Sequence, residues 1–344
     1  MSNRVNGQWQ LQSRPTGMVS VDNFVRVDEP LRDIADGEFL VRNIYLAFEP
    51  AMRGWLNDVK SYVPPVQIGE VMRASSVGQV IESNNADYPV GTFVSGMFGW
   101  QEFAISDGQP GIMGRIGKVP AGMAPELSLS ALGGTGLTAY FGMLDIGKPE
   151  PGDVVVVSGA AGATGSVAGQ IARIKGAAKV IGIAGGETKC DFLTQQLGFD
   201  AAIDYKNENV MARLREECPK GINIFFDNVG GQILDDALLN MAQNGRIVLC
   251  GGISSYNSEE LPPGPKNYMQ LVIRRCIMQG FILIDHYDRA GEAIAELSRW
   301  ISQGELKHAE DIQEGFENTP QTFLRLFEGK NLGKQLLKVG EPLS

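Results

Sequence analysis

The chain has 344 residues, 43% of them hydrophobic and 20% charged, a length that suggests two domains and a composition typical of folded globular proteins. Its formal net charge of −10 argues against nucleic acid or an anionic membrane as the main partner, but it permits a local basic pocket. Four cysteines without CxxC spacing, a polar N-terminus and the lack of any long apolar window point to a reduced, cytoplasmic protein with no disulfide framework.

Up to about residue 126, short β-type runs at 39–45, 76–81 and 92–96 are separated by turn clusters at 84–85 and 109–111. This texture predicts a compact β-barrel-like domain with few long helices. From Leu127 it changes: a small-residue helical stretch covers 131–141, and Pro151-Gly152-Asp153 launches an apolar strand. Strands are expected at 154–158, 179–184, 201–204, 222–228, 246–250 and 276–283. Helices are expected between them at about 165–175, 187–197, 207–217 and 231–241. Such alternation requires crossover helices and gives a doubly wound parallel sheet. The tail from 302, with short strands and a helix at 320–328, completes the first domain. The expected division is therefore 1–126 plus 302–344, and 127–301.

The strongest motif is Val154-Val155-Val156-Val157-Ser158-Gly159-Ala160-Ala161-Gly162-Ala163-Thr164-Gly165. An apolar strand, a tight turn with alanine at the first fingerprint position, and a helix open a dinucleotide-binding βαβ unit. The turn lets the backbone approach a pyrophosphate, and the helix N-terminus offers N–H groups to the anion. The second strand ends in Gly185-Gly186-Glu187-Thr188-Lys189, about 20 residues past Gly165. No carboxylate stands where an NAD enzyme reads the ribose 2′-hydroxyl, and Lys189 is placed to swing toward a 2′-phosphate. The cofactor indicated is NADP(H). Glu187 is expected along the first helical turn, where the macrodipole favours a negative charge. Tyr205, after the third strand, is either a second partner of that phosphate or a packing residue.

Asp227-Asn228-Val229-Gly230-Gly231 and Cys250-Gly251-Gly252-Ile253-Ser254-Ser255-Tyr256-Asn257 end the next two strands, at the edge where open α/β sheets bind ligands. Tyr256 is the candidate general acid, or else a residue that only bonds ribose. The chain has just two histidines, His286 and His308, neither within ligand spacing of a cysteine, so no metal site is expected. The chemistry then falls to the cofactor.

Taken together, these motifs resemble the medium-chain dehydrogenase/reductase superfamily, specifically its zinc-independent branch of NADP-dependent alkenal/one reductases, which includes prostaglandin and curcumin reductases. Branch motifs are Glu49-Pro50-Ala51-Met52-Arg53, the Ala160–Ser166 turn, Phe226–Gly231, Gly252–Asn257, Leu261-Pro262-Pro263-Gly264-Pro265, Gly315-Phe316-Glu317-Asn318 and Asn331-Leu332-Gly333-Lys334. Where zinc-dependent relatives carry Gly-His-Glu, this chain has Ile68-Gly69-Glu70. The resemblance implies an α/β protein with a GroES-like β-barrel catalytic domain and a Rossmann cofactor domain. It places the pyrophosphate on Gly162, Ala163, Thr164 and Gly165, and the 2′-phosphate on Lys189 and Tyr205. It lines the ribose and nicotinamide with Asn228, Cys250, Gly251, Gly252, Ile253, Ser254, Ser255, Tyr256, Phe281, Ile282, Leu283 and Asn331. Glu49 and Ala51 replace the acid and tyrosine common in the family, which leaves Met52, Tyr62 and Met97 as substrate-pocket candidates. The implied reaction is NADPH-dependent reduction of the C=C bond of small-molecule enones and enals. Quinone reduction and allylic-alcohol oxidation are the related alternatives, and a non-catalytic nucleotide-binding protein is a third. A homodimer paired through sheet edges near 276–283 is also implied.

Overall fold

The computed structural model describes residues 4–343 except Ile112, Arg115 and Leu261, so the first residue of the Leu261–Pro265 motif lies outside the described residues. Its chain divides into two units, Met1–Leu129 with Glu310–Ser344, and Ser130–Ala309.

The first unit begins with an antiparallel ribbon, β1 (Val5–Leu11) against β2 (Phe24–Pro30). A larger sheet follows from β3 (Phe39–Ala47), β4 (Ser76–Ser83), β5 (Phe93–Gly96), β6 (Phe103–Ser106) and β7 (Gly117–Lys118), with the short helix α1 (Met52–Trp55) between β3 and β4. Strand β3 pairs antiparallel with both β4 and β6 and is buried along almost its whole length. Its Phe39 and Val41 close a core with Val80, Val94, Phe98 and Ala104. Each such side chain taken fully out of water contributes about 1.5–3 kcal/mol.

In the second unit, α2 (Gly134–Phe141) precedes β8 (Val154–Ser158), α3 (Ala163–Ile174), β9 (Lys179–Ala184), α4 (Glu187–Asp191), β10 (Ala201–Asp204) and α5 (Val210–Glu217). Then come β11 (Ile222–Asp227), α6 (Gly231–Leu239), β12 (Met241–Leu249), α7 (Gln270–Arg274), β13 (Ile277–Gly280) and α8 (Ala290–Ser302). The six strands form one wholly parallel sheet in the order β10-β9-β8-β11-β12-β13. Both faces of such a sheet are covered by crossover helices, which is why Val155, Val156 and Val157 have no solvent exposure. The chain returns to the first unit with β14 (Glu310–Glu314), α9 (Thr319–Leu324) and β15 (Lys334–Lys338), and β15 pairs antiparallel with β3.

Several element limits differ from the sequence reading. Strand β12 starts at Met241, where a helix end was expected, because Met241 already pairs with Ile222 and an irregularity absorbs the next residues. Asn244 there adopts φ 61°, the left-handed region that asparagine tolerates better than most residues. Strand β13 stops at Gly280 and a 3-10 turn begins at Leu283, so the expected strand through Leu283 is cut short. Helix α4 is only five residues long and continues as a wide π-type turn, Phe192–Gln196, that buries Phe192 and Leu193 in succession. Residues 302–309 belong with the second unit because Gln170 exchanges two hydrogen bonds with the Lys307 backbone, at 2.8 Å each, and Leu306 is buried.

Two family motifs meet inside the first unit: Lys334 Nζ, almost fully buried, lies 3.1 Å from Glu49 Oε1. Removing the partly exposed Glu49 would leave the buried Lys334 ammonium without its counter-charge. We expect Glu49→Leu to lower stability by about 3 kcal/mol in urea unfolding, and the added Lys334→Met to recover much of that loss.

Candidate functional site

Because the strands of the second unit run parallel, their carboxyl ends share one edge, and the loops leaving that edge carry all the candidates of this unit. In the first loop, Gly159 has φ 58° and Gly162 caps α3 without any side-chain hydrogen bond. A Cβ on Gly165 would stand 2.5 Å from the Gly159 carbonyl oxygen and 2.8 Å from Ala160 Cα, so only glycine lets the helix approach the strand end this closely. The first-turn N–H groups of this twelve-residue helix are left without a side-chain cap, an arrangement that fits a phosphate group.

The second loop turns at Gly186 (φ 98°) into α4, with Glu187 in its first turn and Lys189 in its last. Gly185 lies beneath the loop that follows β10: a Cβ there would come within 2.8 Å of Tyr205 Cε1 and 2.9 Å of Lys206 Cε. Tyr205 itself is exposed. Lys206 was missed in the sequence reading, although it directly follows Asp204-Tyr205 at a strand end. Asp204 was missed as well. Its Oδ1 accepts from the Gly186 and Lys206 N–H groups at 2.8 and 3.0 Å, and its Oδ2 accepts from Asn207 Nδ2 at 2.7 Å. A carboxylate thus does reach the turn, from β10 rather than β9, with donors of its own chain on both oxygens.

Ser158, Asp227 and Asn228 join the ends of β8 and β11. Ser158 Oγ donates to Asp227 Oδ1 at 2.7 Å and accepts from the Asn228 N–H at 2.9 Å, while Asn228 Nδ2 donates to the Ser158 carbonyl at 2.7 Å. The next loop is tied in by main-chain bonds from Cys250, Gly251 and Ile253 to the carbonyls of Asp227 and Asn228, and from Ser254 to Val229. Ser255 Oγ donates to the Gly252 carbonyl at 2.8 Å. Tyr256 folds back so that its hydroxyl accepts from the Gly252 N–H at 3.1 Å. Burial pushes the Tyr256 phenol above its ordinary pKa; Gly252 works against this, while Cys250 and Asp227 add to it. Burial, with Asp227 nearby, pushes the Cys250 thiol up to about 12. Both groups therefore carry their protons at neutral pH. After β13, Phe281 stands edge-on to His286, ring centroids 6.2 Å apart, and Ile282 leads into the 3-10 turn that starts at Leu283.

The remaining candidates lie in the first unit. Met52 has no accessible surface and its Sδ accepts from the Glu49 N–H at 3.3 Å, which removes it as an open pocket wall. Tyr62 is exposed, its hydroxyl accepting from Trp55 Nε1 at 2.9 Å, and Met97 is half-buried, its Sδ accepting from Ser75 Oγ at 3.3 Å. Asn331 Nδ2 donates to the Gly333 carbonyl at 3.0 Å. Among the described residues no group of three or more His, Cys, Asp or Glu side chains is placed to hold a metal ion.

The Asp204 anchor has a pH signature. Burial pushes this carboxyl up, but the Gly186, Asn207 and Lys206 donors outweigh it and hold the group below its ordinary value. Its stabilising contribution is then present above the unfolded pKa of about 3.9 and is lost as pH falls through the lower folded value. Asp204→Asn is expected to be less stable than the wild type at pH 7, with the gap closing in thermal unfolding as pH falls below the ordinary carboxylate range of about 3.9.

Comparison with known proteins places this geometry in a family. Residues 7–113 match the N-terminal domain of oxidoreductase, and residues 163–299 match the zinc-binding dehydrogenase domain. The chain is 41% identical over 339 residues to the NADPH-dependent curcumin reductase of Escherichia coli (strain K12), covering 97% of each chain. It is 37% identical over 336 residues to prostaglandin reductase 1 of Bos taurus, covering 96% of this chain and 98% of that one. The crystal structure of CurA in complex with NADPH from Vibrio vulnificus superposes with a TM-score of 0.90 at 43% identity, over 98% of this chain and all of that one. The chain belongs to the medium-chain dehydrogenase/reductase family, in the branch that holds the curcumin and prostaglandin reductases.

Proposed function

We propose that this protein is an NADPH-dependent reductase of the C=C bond in α,β-unsaturated ketones and aldehydes. The observation that carries the reading is the uncapped α3 N-terminus closed over Gly159 by Gly165, in a chain of the reductase branch. Gly162, Ala163, Thr164 and Gly165 would hold the cofactor's pyrophosphate, and Lys189 and Tyr205 its 2′-phosphate. Asn228, the Cys250–Tyr256 loop, Phe281, Ile282, Leu283 and Asn331 would face ribose and nicotinamide. When bound, NADPH supplies a hydride for the electron-poor β-carbon.

The chain's own residues bind, orient and handle the proton. Tyr256 uses a lone pair on the Gly252 N–H, so its own O–H stays free to donate. That hydrogen bond would stabilise negative charge as it builds on the substrate carbonyl oxygen, and Tyr256 or water would protonate the α-carbon. A phenol held above its ordinary pKa stays protonated throughout the neutral range, as a donor must. Tyr62 and Met97 are the proposed substrate-facing residues, and the small Ala51 leaves room where relatives carry an aromatic ring.

Four free thiols fit a reducing, cytoplasmic setting, and among the described residues no helix is long and apolar enough to cross a membrane. We also propose a homodimer. Strand β13 is an outer strand of the parallel sheet, and Ile277 on it and Tyr268, Met269, Val272 and Ile273 just before it are all exposed. An apolar outer edge of this kind is suited to pairing with its two-fold copy. Sedimentation should give twice the chain mass, and Ile277→Lys should shift it toward the monomer.

Steady NADPH oxidation with simple enones is the expected result, and a broad enone panel without turnover would refute it. Quinone turnover with inert enones, or NADP⁺ reduction by an allylic alcohol, would instead select the related reactions. Tyr256→Phe should lower kcat by about 10²-fold if the phenol donates the proton. Lys189→Ala should raise the KM for NADPH about tenfold and leave that for NADH unchanged. An unaltered NADPH/NADH preference would remove Lys189 from the site.

A further inference from the structure

The Asp227 side chain accepts three hydrogen bonds at the carboxyl edge of the parallel sheet, yet it is fully buried and takes no part in the reaction as proposed. Its Oδ1 accepts from Ser158 Oγ at 2.7 Å and from the Val229 and Gly230 N–H groups at 3.0 Å each. Through Ser158 it reaches the last residue of β8, immediately before the Gly159–Gly165 turn. Through Val229 and Gly230 it fixes the loop leading into α6, and its carbonyl accepts from the Cys250 and Gly251 N–H groups at 2.9 and 3.1 Å. One residue therefore fastens the exits of β8, β11 and β12. These exits carry the proposed pyrophosphate turn, Asn228, and the loop that ends in Tyr256.

Within this arrangement Asp227 Oδ2 is buried and has no hydrogen-bond partner among the described residues. Among the described residues no salt-bridge partner accompanies the carboxyl group, whose side chain has no solvent exposure. A buried carboxyl that engages only one of its oxygens serves as an acceptor for three donors, a task an amide carbonyl can also perform. We propose that Asp227 is a positioning residue that sets the spacing between the pyrophosphate turn and the loops after β11 and β12, and so determines where the nicotinamide half of the cofactor is held. The proposal rests on the cofactor site as assigned above. It distinguishes two halves of that site: the Gly185–Lys189 turn and Tyr205 are anchored by Asp204, a separate carboxylate on β10, and lie outside the Asp227 fastening.

Binding measured without any alkene present separates the two halves. NADPH probes the whole site, and 2′,5′-ADP probes only the adenosine end. Asp227→Ala is expected to weaken NADPH about tenfold while changing 2′,5′-ADP by less than about threefold, since it strips the acceptor from three donors that hold the nicotinamide-side loops and leaves the Asp204 anchor intact. Asp227→Asn keeps the carbonyl acceptor and should recover most of the NADPH affinity. Ser158→Ala removes a single hydroxyl and should show the same split at smaller size, which keeps the test decisive if Asp227→Ala fails to fold. Equal weakening of both ligands, or wild-type NADPH affinity in Asp227→Ala and Ser158→Ala, would overturn the proposal. Lys189→Ala serves as the control on the site itself. If it leaves 2′,5′-ADP binding unchanged, the cofactor site is misassigned; if it weakens 2′,5′-ADP while the Asp227 and Ser158 variants bind NADPH normally, only the positioning role falls.

Discussion

The close approach of α3 to the end of β8 is the constraint from which the rest of the site follows. A side chain at Gly165 would overlap the Gly159 carbonyl, so the bare backbone there permits a turn short enough to aim the helix N-terminus over the sheet edge. Because the six strands are parallel, the same edge also receives Lys189, Tyr205, Asn228, Tyr256 and Phe281 from five further loops. Convergence of chemistry at one edge is thus a consequence of sheet topology, and the glycine turn determines which kind of ligand that edge suits.

Two buried or nearly buried carboxylates divide the labour of holding the loops in place. Asp204 binds the backbone at Gly186, where the turn has no side chain of its own to fix it, and Asp227 binds the backbone at Val229 and Gly230 and the hydroxyl of Ser158. Glycine-rich turns give close backbone approach, but they lose more conformational freedom on folding than other segments. Side-chain acceptors from neighbouring strands offset that cost. This pairing of bare turns with buried acceptors lets a chain of net charge −10 build a site suited to a polyanion: Asp204 and one oxygen of Asp227 are occupied by N–H and O–H donors, while Lys189 and Lys206 stand beside the turn.

The legible parts of the fold were those written in short stretches of sequence. The four-valine strand, its glycine turn and the alternation of strand and helix gave the parallel sheet, since each signal is complete within about a dozen residues. The limits of β12 and β13 were not legible, because they depend on the pairing of Met241 with Ile222 and on the departure of the chain after Gly280. The domain exit at Ala309 was hidden for the same reason: it is set by Gln170 reaching Lys307, 137 positions away. Asp204, Lys206 and Asp227 went unassigned because their importance lies in which distant backbone they touch. Asp227 even stood inside a recognised motif, but no local pattern marks an acceptor that serves Ser158 across 69 residues. Met52 shows the converse error, since its place in a family motif suggested an open wall and packing has sealed it.

In the proposed reaction hydride reaches the β-carbon of a conjugated alkene. Transfer from NADPH deuterated at the reactive C4 position, followed by NMR of the product of a simple enone, tests it directly. Deuterium at the β-carbon, with hydrogen from solvent at the α-carbon, is the predicted result. Deuterium at the carbonyl carbon, giving an allylic alcohol, would instead make the protein a carbonyl reductase.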